Sequence, residues 1–195
     1  MNFFNIHLAK ITGNGIGMDF LDMLLGRSMS NSDYEFLPGV ALGKEIDLGI
    51  KTKLGTEIQC KWKNSEANNH YLYQSDSSVN GTQNTSVQCD QILTTRFGSS
   101  KSFNDYSLDT IYTSVQNRNG FWLNDEKVAS YDSHMGTFTS NQNLTFGNTV
   151  SRVTYYSLKV IENGTVLFNL VPAERKSDGV KGMYDKVHKY FYEGE

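Results

Sequence analysis

The sequence predicts an all-β fold, an antiparallel β-sandwich, on three observations. Roughly a dozen short runs alternate apolar and polar residues, with turn signals about every 8–12 residues. Tight-turn dipeptides stand between such runs, as at Asn119-Gly120 and Asn163-Gly164. Tyr, Phe and Gly are abundant (11, 11 and 17 of 195 residues), which suits pleated strands joined by turns.

Residues 1–32 differ in pattern from the rest of the chain. FFNIHLAKI is apolar-rich, TGNGIGMD supplies a glycine-rich break, and MDFLDMLLGRS reads as a short helix. Met18, Leu21, Leu24 and Leu25 fall near one helical face, with Gly26 placed to cap it. So short a helix needs a partner surface. Two destinations are open: its own sandwich, or an anchoring and oligomerisation role in which Phe3, Phe4, Ile6 and Leu8 join that face. SMSNSD then reads as a linker, and residues 33–195 as the sandwich.

In the next stretch Ile46, Leu48 and Ile50 alternate with Asp47 and Gly49. After them Thr56, Ile58, Cys60 and Trp62 point inward, while Glu57, Gln59 and Lys61 point to solvent. Residues 64–90 are polar loops around one or two strands near HYLYQ. ILTTRFGSS, TIYTSVQN, FWLNDEKVASY (a hairpin about Asn124-Asp125) and NLTFGNT supply further strands. The last hairpin pairs Tyr155–Glu162 with Thr165–Val171 about Asn163-Gly164. Val166, Phe168 and Leu170 share the face expected to enter the core, and Pro172, lacking an N–H, is expected to end the ladder. ERKSDG is a polar turn, after which Met183, Tyr184, Val187 and Phe191 return for packing.

Net charge of −3 argues against a protein that grips nucleic acid through its phosphates. No apolar run approaches the roughly 20 residues of a membrane-spanning helix, so membrane insertion is not expected. No Lys or Arg precedes an apolar stretch at the start, so a secretory signal is not expected either. Without an oxidising compartment, Cys60 and Cys89 are expected as buried free thiols on strands, the alternative being one cross-strand disulfide.

Catalytic patterns are sparse. The four histidines (His7, His70, His134, His188) lie outside any nucleophile motif, and no G-x-S-x-G occurs. Asp76, Asp90, Asp105, Asp125, Asp132 and Asp178 are loop acids without a calcium-loop spacing, so neither metal nor cofactor is expected. Two groups carry the residue types that recognise sugars, aromatic faces beside amides or guanidinium. One is His70, Tyr71 and Tyr73 with Asn68-Asn69; the other is Asn117, Arg118 and Asn119 with Trp122.

The C-terminal run SLKVIENGTVLFNLVPA, then RKSDGVKGMYDKVHKYF, resembles the closing end of a laminin-G-like, concanavalin-type β-sandwich family. YEFLPGVALGKEIDLGIKTKLGTEIQCKWK is similar to the opening of the same sandwich, departing at Leu37-Pro38-Gly39-Val40, where the family more often has Ser-Thr-Gly. The resemblance covers about residues 34–192 and implies an antiparallel jelly roll. Such domains are common in bacteriophage virion proteins and bacterial surface proteins. The implied role is a non-enzymatic virion component, located in the virion as part of a tail, fibre or head decoration. It would dock through residues 1–32. The implied partners are other virion proteins, further copies of this chain and host-surface carbohydrate. The alternative is a free-standing lectin module of a cell-surface protein. A glycoside hydrolase is a distant third, because laminarinase-type relatives use an E-x-D-x-E strand to hold two carboxylates about 5–5.5 Å apart. The nearest run here, Lys44-Glu45-Ile46-Asp47, lacks the third acid.

Overall fold

In the computed structural model the described residues are 31–67, 70–75, 85–103, 106–131, 138–147, 149 and 152–194. The helix expected in residues 18–26, and the anchor residues Phe3, Phe4, Ile6, Leu8, Met18, Leu21, Leu24 and Leu25, lie outside them. Apart from a 3₁₀ turn at Asn31–Asp33, the elements are strands. They run β1 Tyr34–Phe36, β2 Val40–Ala41, β3 Ile46–Lys53, β4 Thr56–Asn64, β5 His70–Gln74, β6 Thr85–Cys89, β7 Leu93–Phe97 and β8 Ser99–Phe103. There follow β9 Ile111–Asn117, β10 Gly120–Leu123, β11 Glu126–Ala129, β12 Thr139–Phe146, β13 Val153–Glu162, β14 Thr165–Arg175, β15 Lys181–Asp185 and β16 Tyr190–Glu193.

Two antiparallel sheets result. The larger runs β11-β10-β9-β4-β13-β14-β15-β16, with β2 added to β13 and β1 to β14; the smaller runs β3-β12-β5-β6-β7-β8. One core draws on both, the arrangement of a β-sandwich. In β4 the alternation expected from sequence is met: Thr56, Ile58, Cys60, Trp62 and Asn64 are all buried. Trp62 packs on Tyr112 (5.3 Å between rings) and donates from Nε1 to Ser114 Oγ at 3.2 Å. Tyr155 ties the sheets together: its hydroxyl donates to Leu72 O (2.7 Å) and accepts from Gly147 N (3.1 Å). Such aromatics each bury roughly 150–250 Å², worth about 4–6 kcal/mol before entropy is set against it.

A second, smaller cluster forms around Tyr34, Ala173, Tyr184 and Phe191, where β1 pairs with the end of β14. Here Tyr34 stacks on Phe191 at 5.1 Å. At the end of β15 the buried Asp185 carboxylate accepts from Asn169 N and Val187 N, both at 3.0 Å, and pairs with His188 Nδ1.

Several expectations need correction. Pro172 does not end the ladder; β14 runs through it to Arg175, and Pro172 pairs with Met183 of β15. On its other side the pairing with β13 stops at Leu170 and that with β1 starts at Ala173, so the missing N–H falls where partners change. Phe168 and Leu170 enter the core but Val166 is exposed, because an irregularity at Val160/Ile161 shifts the register near the turn. Val187 is also exposed, in the turn between β15 and β16, whereas Met183, Tyr184 and Phe191 are buried. The turn after β9 lies at Arg118-Asn119, one residue earlier than Asn119-Gly120, since Gly120 already pairs with Asn117. The strand expected at 143–149 begins at Thr139. Cys60 and Cys89 are both buried and free, and burial pushes both thiols up.

Candidate functional site

Three turns meet at one end of the large sheet: Leu54-Gly55 between β3 and β4, Arg118-Asn119 between β9 and β10, and Asn163-Gly164 between β13 and β14. The last is built as its sequence dictates, with Asn163 at φ 50° and Gly164 at φ 81°, both in the left-handed region that a type I′ hairpin turn requires. It is latched to the first, because Asn163 N donates to Gly55 O at 3.0 Å. Gly55 permits that approach: a Cβ there would lie 2.0 Å from Asn163 Oδ1.

Between these turns lies an open groove of about 380 Å³. Leu54 and Ile161 give it apolar lining; Glu57, Asn117, Arg118 and Asn119 give it polar lining. The Glu57 carboxylate is held on both sides, Oε1 accepting from Gln59 Nε2 (2.7 Å) and Oε2 from Asn117 Nδ2 (3.0 Å). The other end of the Asn117 amide accepts from Asn119 N at 2.9 Å, so one side chain orients both the carboxylate and the turn. Arg118 is exposed and makes no ion pair among the described residues. The site therefore offers fixed acceptors (Glu57), amide donors and acceptors, and a guanidinium, above apolar surface. That is chemistry for binding hydroxyl pairs.

The residues expected from sequence divide. Asn117, Arg118 and Asn119 come together in the groove. Trp122 does not line it; it sits half-buried on the outer face of the same sheet, one pair further along, with Lys127 Nζ 5.2 Å above its ring. Of the other group's described residues, only Tyr71 keeps appreciable exposure. Tyr73 is wholly buried in the core, where desolvation pushes its hydroxyl well up, and His70 is buried with Nε2 2.9 Å from Asn64 Oδ1. Tyr71 is half-buried on the smaller sheet, and Asn68-Asn69 lie outside the described residues. The reason is an irregularity between Tyr71 and Tyr73 in the pairing of β5 with β6, which breaks the simple alternation.

Sequence reasoning missed Glu57, Gln59, Leu54 and Ile161 as site residues. Glu57 and Gln59 were legible as outward-facing, but their meeting with Asn117 depends on the β4–β9 register, in which Ile58 faces Gln116. Among the described residues Glu57 is the sole carboxylate lining the groove, so the acid pair of a glycosidase is not assembled there. No group of three His, Cys, Asp or Glu side chains that could hold a metal ion occurs among the described residues. No protein-family model matches the chain, and no curated protein matches it.

Proposed function

We propose that the protein is a non-enzymatic, lectin-like display module: a concanavalin-type jelly roll of the kind carried by bacteriophage tail, fibre or head-decoration proteins. Its groove takes a hydroxyl-rich carbohydrate of the host surface. The observation that carries the binding reading is the Glu57 carboxylate fixed by Gln59 and Asn117 beside the Arg118 guanidinium, which makes no ion pair among the described residues. A sugar diol donates to Glu57 and accepts from Arg118 or Asn119, while its C–H surface covers Leu54 and Ile161. The virion setting, and residues 1–32 as the docking segment, are supported by the sequence resemblance and the apolar content of that segment.

The test is an array of neutral and acidic oligosaccharides, followed by calorimetry on the best binder with wild type, Asn117→Ala and Arg118→Ala. Binding that falls at least about tenfold in both variants, with unchanged melting, supports the reading. Binding unchanged in both, or none on the array, removes it. For docking, light scattering on the full chain and on a chain lacking residues 1–32 is expected to show loss of the oligomer on truncation.

A further inference from the structure

The outer face of the large sheet has an organisation that net charge hides. The strand register sets one continuous row of side chains across six strands: Lys127 faces Trp122, Trp122 faces Val115, Val115 faces Gln59, Gln59 faces Lys159, and Lys159 faces Asn169. The next row sets Lys61 between Thr113 and Ser157, with its Nζ 5.9 Å from the Tyr156 ring. The row beyond holds Lys63, which pairs with Asp109 at 3.6 Å. On the other side of the Lys127–Lys159 row lie Glu57 and the groove.

Thus in a chain of net charge −3, Lys61, Lys127 and Lys159 stand on one face, each without a carboxylate within ion-pair distance among the described residues. Beside these rows the Glu57 carboxylate is held by amides and that of Asp109 by Lys63. Two of the lysines lie over aromatic rings, Trp122 and Tyr156, which holds their long stems down on the sheet. The result is fixed positive charges interleaved with ring faces, on a surface continuous with the groove.

We propose that this outer face binds an anionic polysaccharide, with Lys61, Lys127 and Lys159 meeting its carboxylates and Trp122 and Tyr156 lying against its sugar rings. The inference deepens the carbohydrate reading of the groove and rests on it: the groove holds one residue of a chain whose charged neighbours cross the sheet. A polymer of uronic acids fits, because each ring carries a charge for a lysine and a C–H face for an aromatic. A nucleic acid fits less well, since three lysines neutralise few phosphates.

The test uses polygalacturonate and its methyl ester, which share a backbone and differ in charge, with single-stranded poly-dT as a third probe. Wild type is expected to bind polygalacturonate well above the ester, and to lose affinity as salt shortens the Debye length from about 30 Å at 0.01 M to about 8 Å at 0.15 M. Replacing the three lysines together by Gln should weaken polygalacturonate binding about tenfold or more, and replacing them by Arg should restore it. Equal binding of acid and ester, or undiminished binding by the Gln variant, overturns the lysine face. Poly-dT bound as tightly as polygalacturonate overturns the polysaccharide assignment. The groove is judged separately: Arg118→Ala losing the array's best neutral glycan, while the Gln variant keeps it, supports the groove reading whichever way polygalacturonate decides the lysine face.

Discussion

Lys61 and Trp62 are neighbours in β4, yet one is exposed and the other has no accessible surface. The same contrast holds along the large sheet: Tyr155 against Tyr156, Leu158 against Lys159, Phe121 against Trp122. Most inward residues are apolar and close-packed, and buried polar ones such as Asn64, Ser114 and Gln116 hydrogen-bond among them. Outward ones are lysines, amides and half-covered rings. Strands whose inner faces are locked in a core give the outer faces a rigid spacing, so a ligand surface there needs no loop to hold it in shape.

The contrast predicts a graded set of effects. The largest belongs to Trp62→Ala, which empties the core beside Tyr112 and is expected to cost about 3–5 kcal/mol in urea unfolding. A cost no greater than that of Lys61→Ala would mean the two faces are not distinct. Tyr155→Phe keeps the ring but strips the hydroxyl from Leu72 O and Gly147 N, and should cost about 1–3 kcal/mol. Alkali probes the same interior. Burial pushes the Tyr131 hydroxyl from its ordinary 10.0 up to about 12. The folded pKa is raised, so stability is fully present below pH 10 and is lost as pH rises towards 12, where the unfolded chain ionises first. Cys60 and Cys89, whose thiols burial also raises from their ordinary 9.0, begin the same loss earlier, so denaturant midpoints are expected to fall from about pH 9 and more steeply above pH 10; midpoints level throughout would show that these groups are not sequestered.

The groove's two glycines sharpen the comparison at smaller scale. Gly164→Val should cost about 1–2 kcal/mol through φ 81° alone, since nothing lies within 4 Å of its added Cβ. Gly55→Ala should instead disturb the latch, because its Cβ meets Asn163 Oδ1. The signature of that difference is amide exchange at Asn163, raised in the Gly55 variant. Smallest of all, Lys159→Ala should alter stability by less than about 0.5 kcal/mol, as its side chain lies on the outer face. A loss above about 1 kcal/mol would mark Lys159 as structural and weaken its assignment to ligand.

The legible parts of this fold are those that local chemistry decides. Asn163-Gly164 dictates its own turn, and β4 declares its inner face by alternation alone. Pro172 misleads because its lost N–H matters only if a partner needs it there, and the change from β13 to β1 removes that need. Tyr73 misleads because an irregularity in β5 turns it into the core, whereas an aromatic beside polar neighbours has the pattern of a surface residue. Part of the groove is legible as the Asn117–Asn119 turn. Glu57 lies 60 positions away, and the row from Lys127 to Lys159 joins five strands. Such juxtapositions are set by register, and a one-residue slip would send every member to the other face.

Amide hydrogen exchange with and without polygalacturonate therefore tests the account most directly, because it reads every strand of both sheets at once. Slowed exchange confined to the turns at Leu54-Gly55 and Arg118-Asn119 and to β4, β9, β10, β11 and β13 is the result expected of a ligand lying from the groove across the outer face. Slowed exchange on β5 to β8 of the smaller sheet, with the large sheet unchanged, would contradict it.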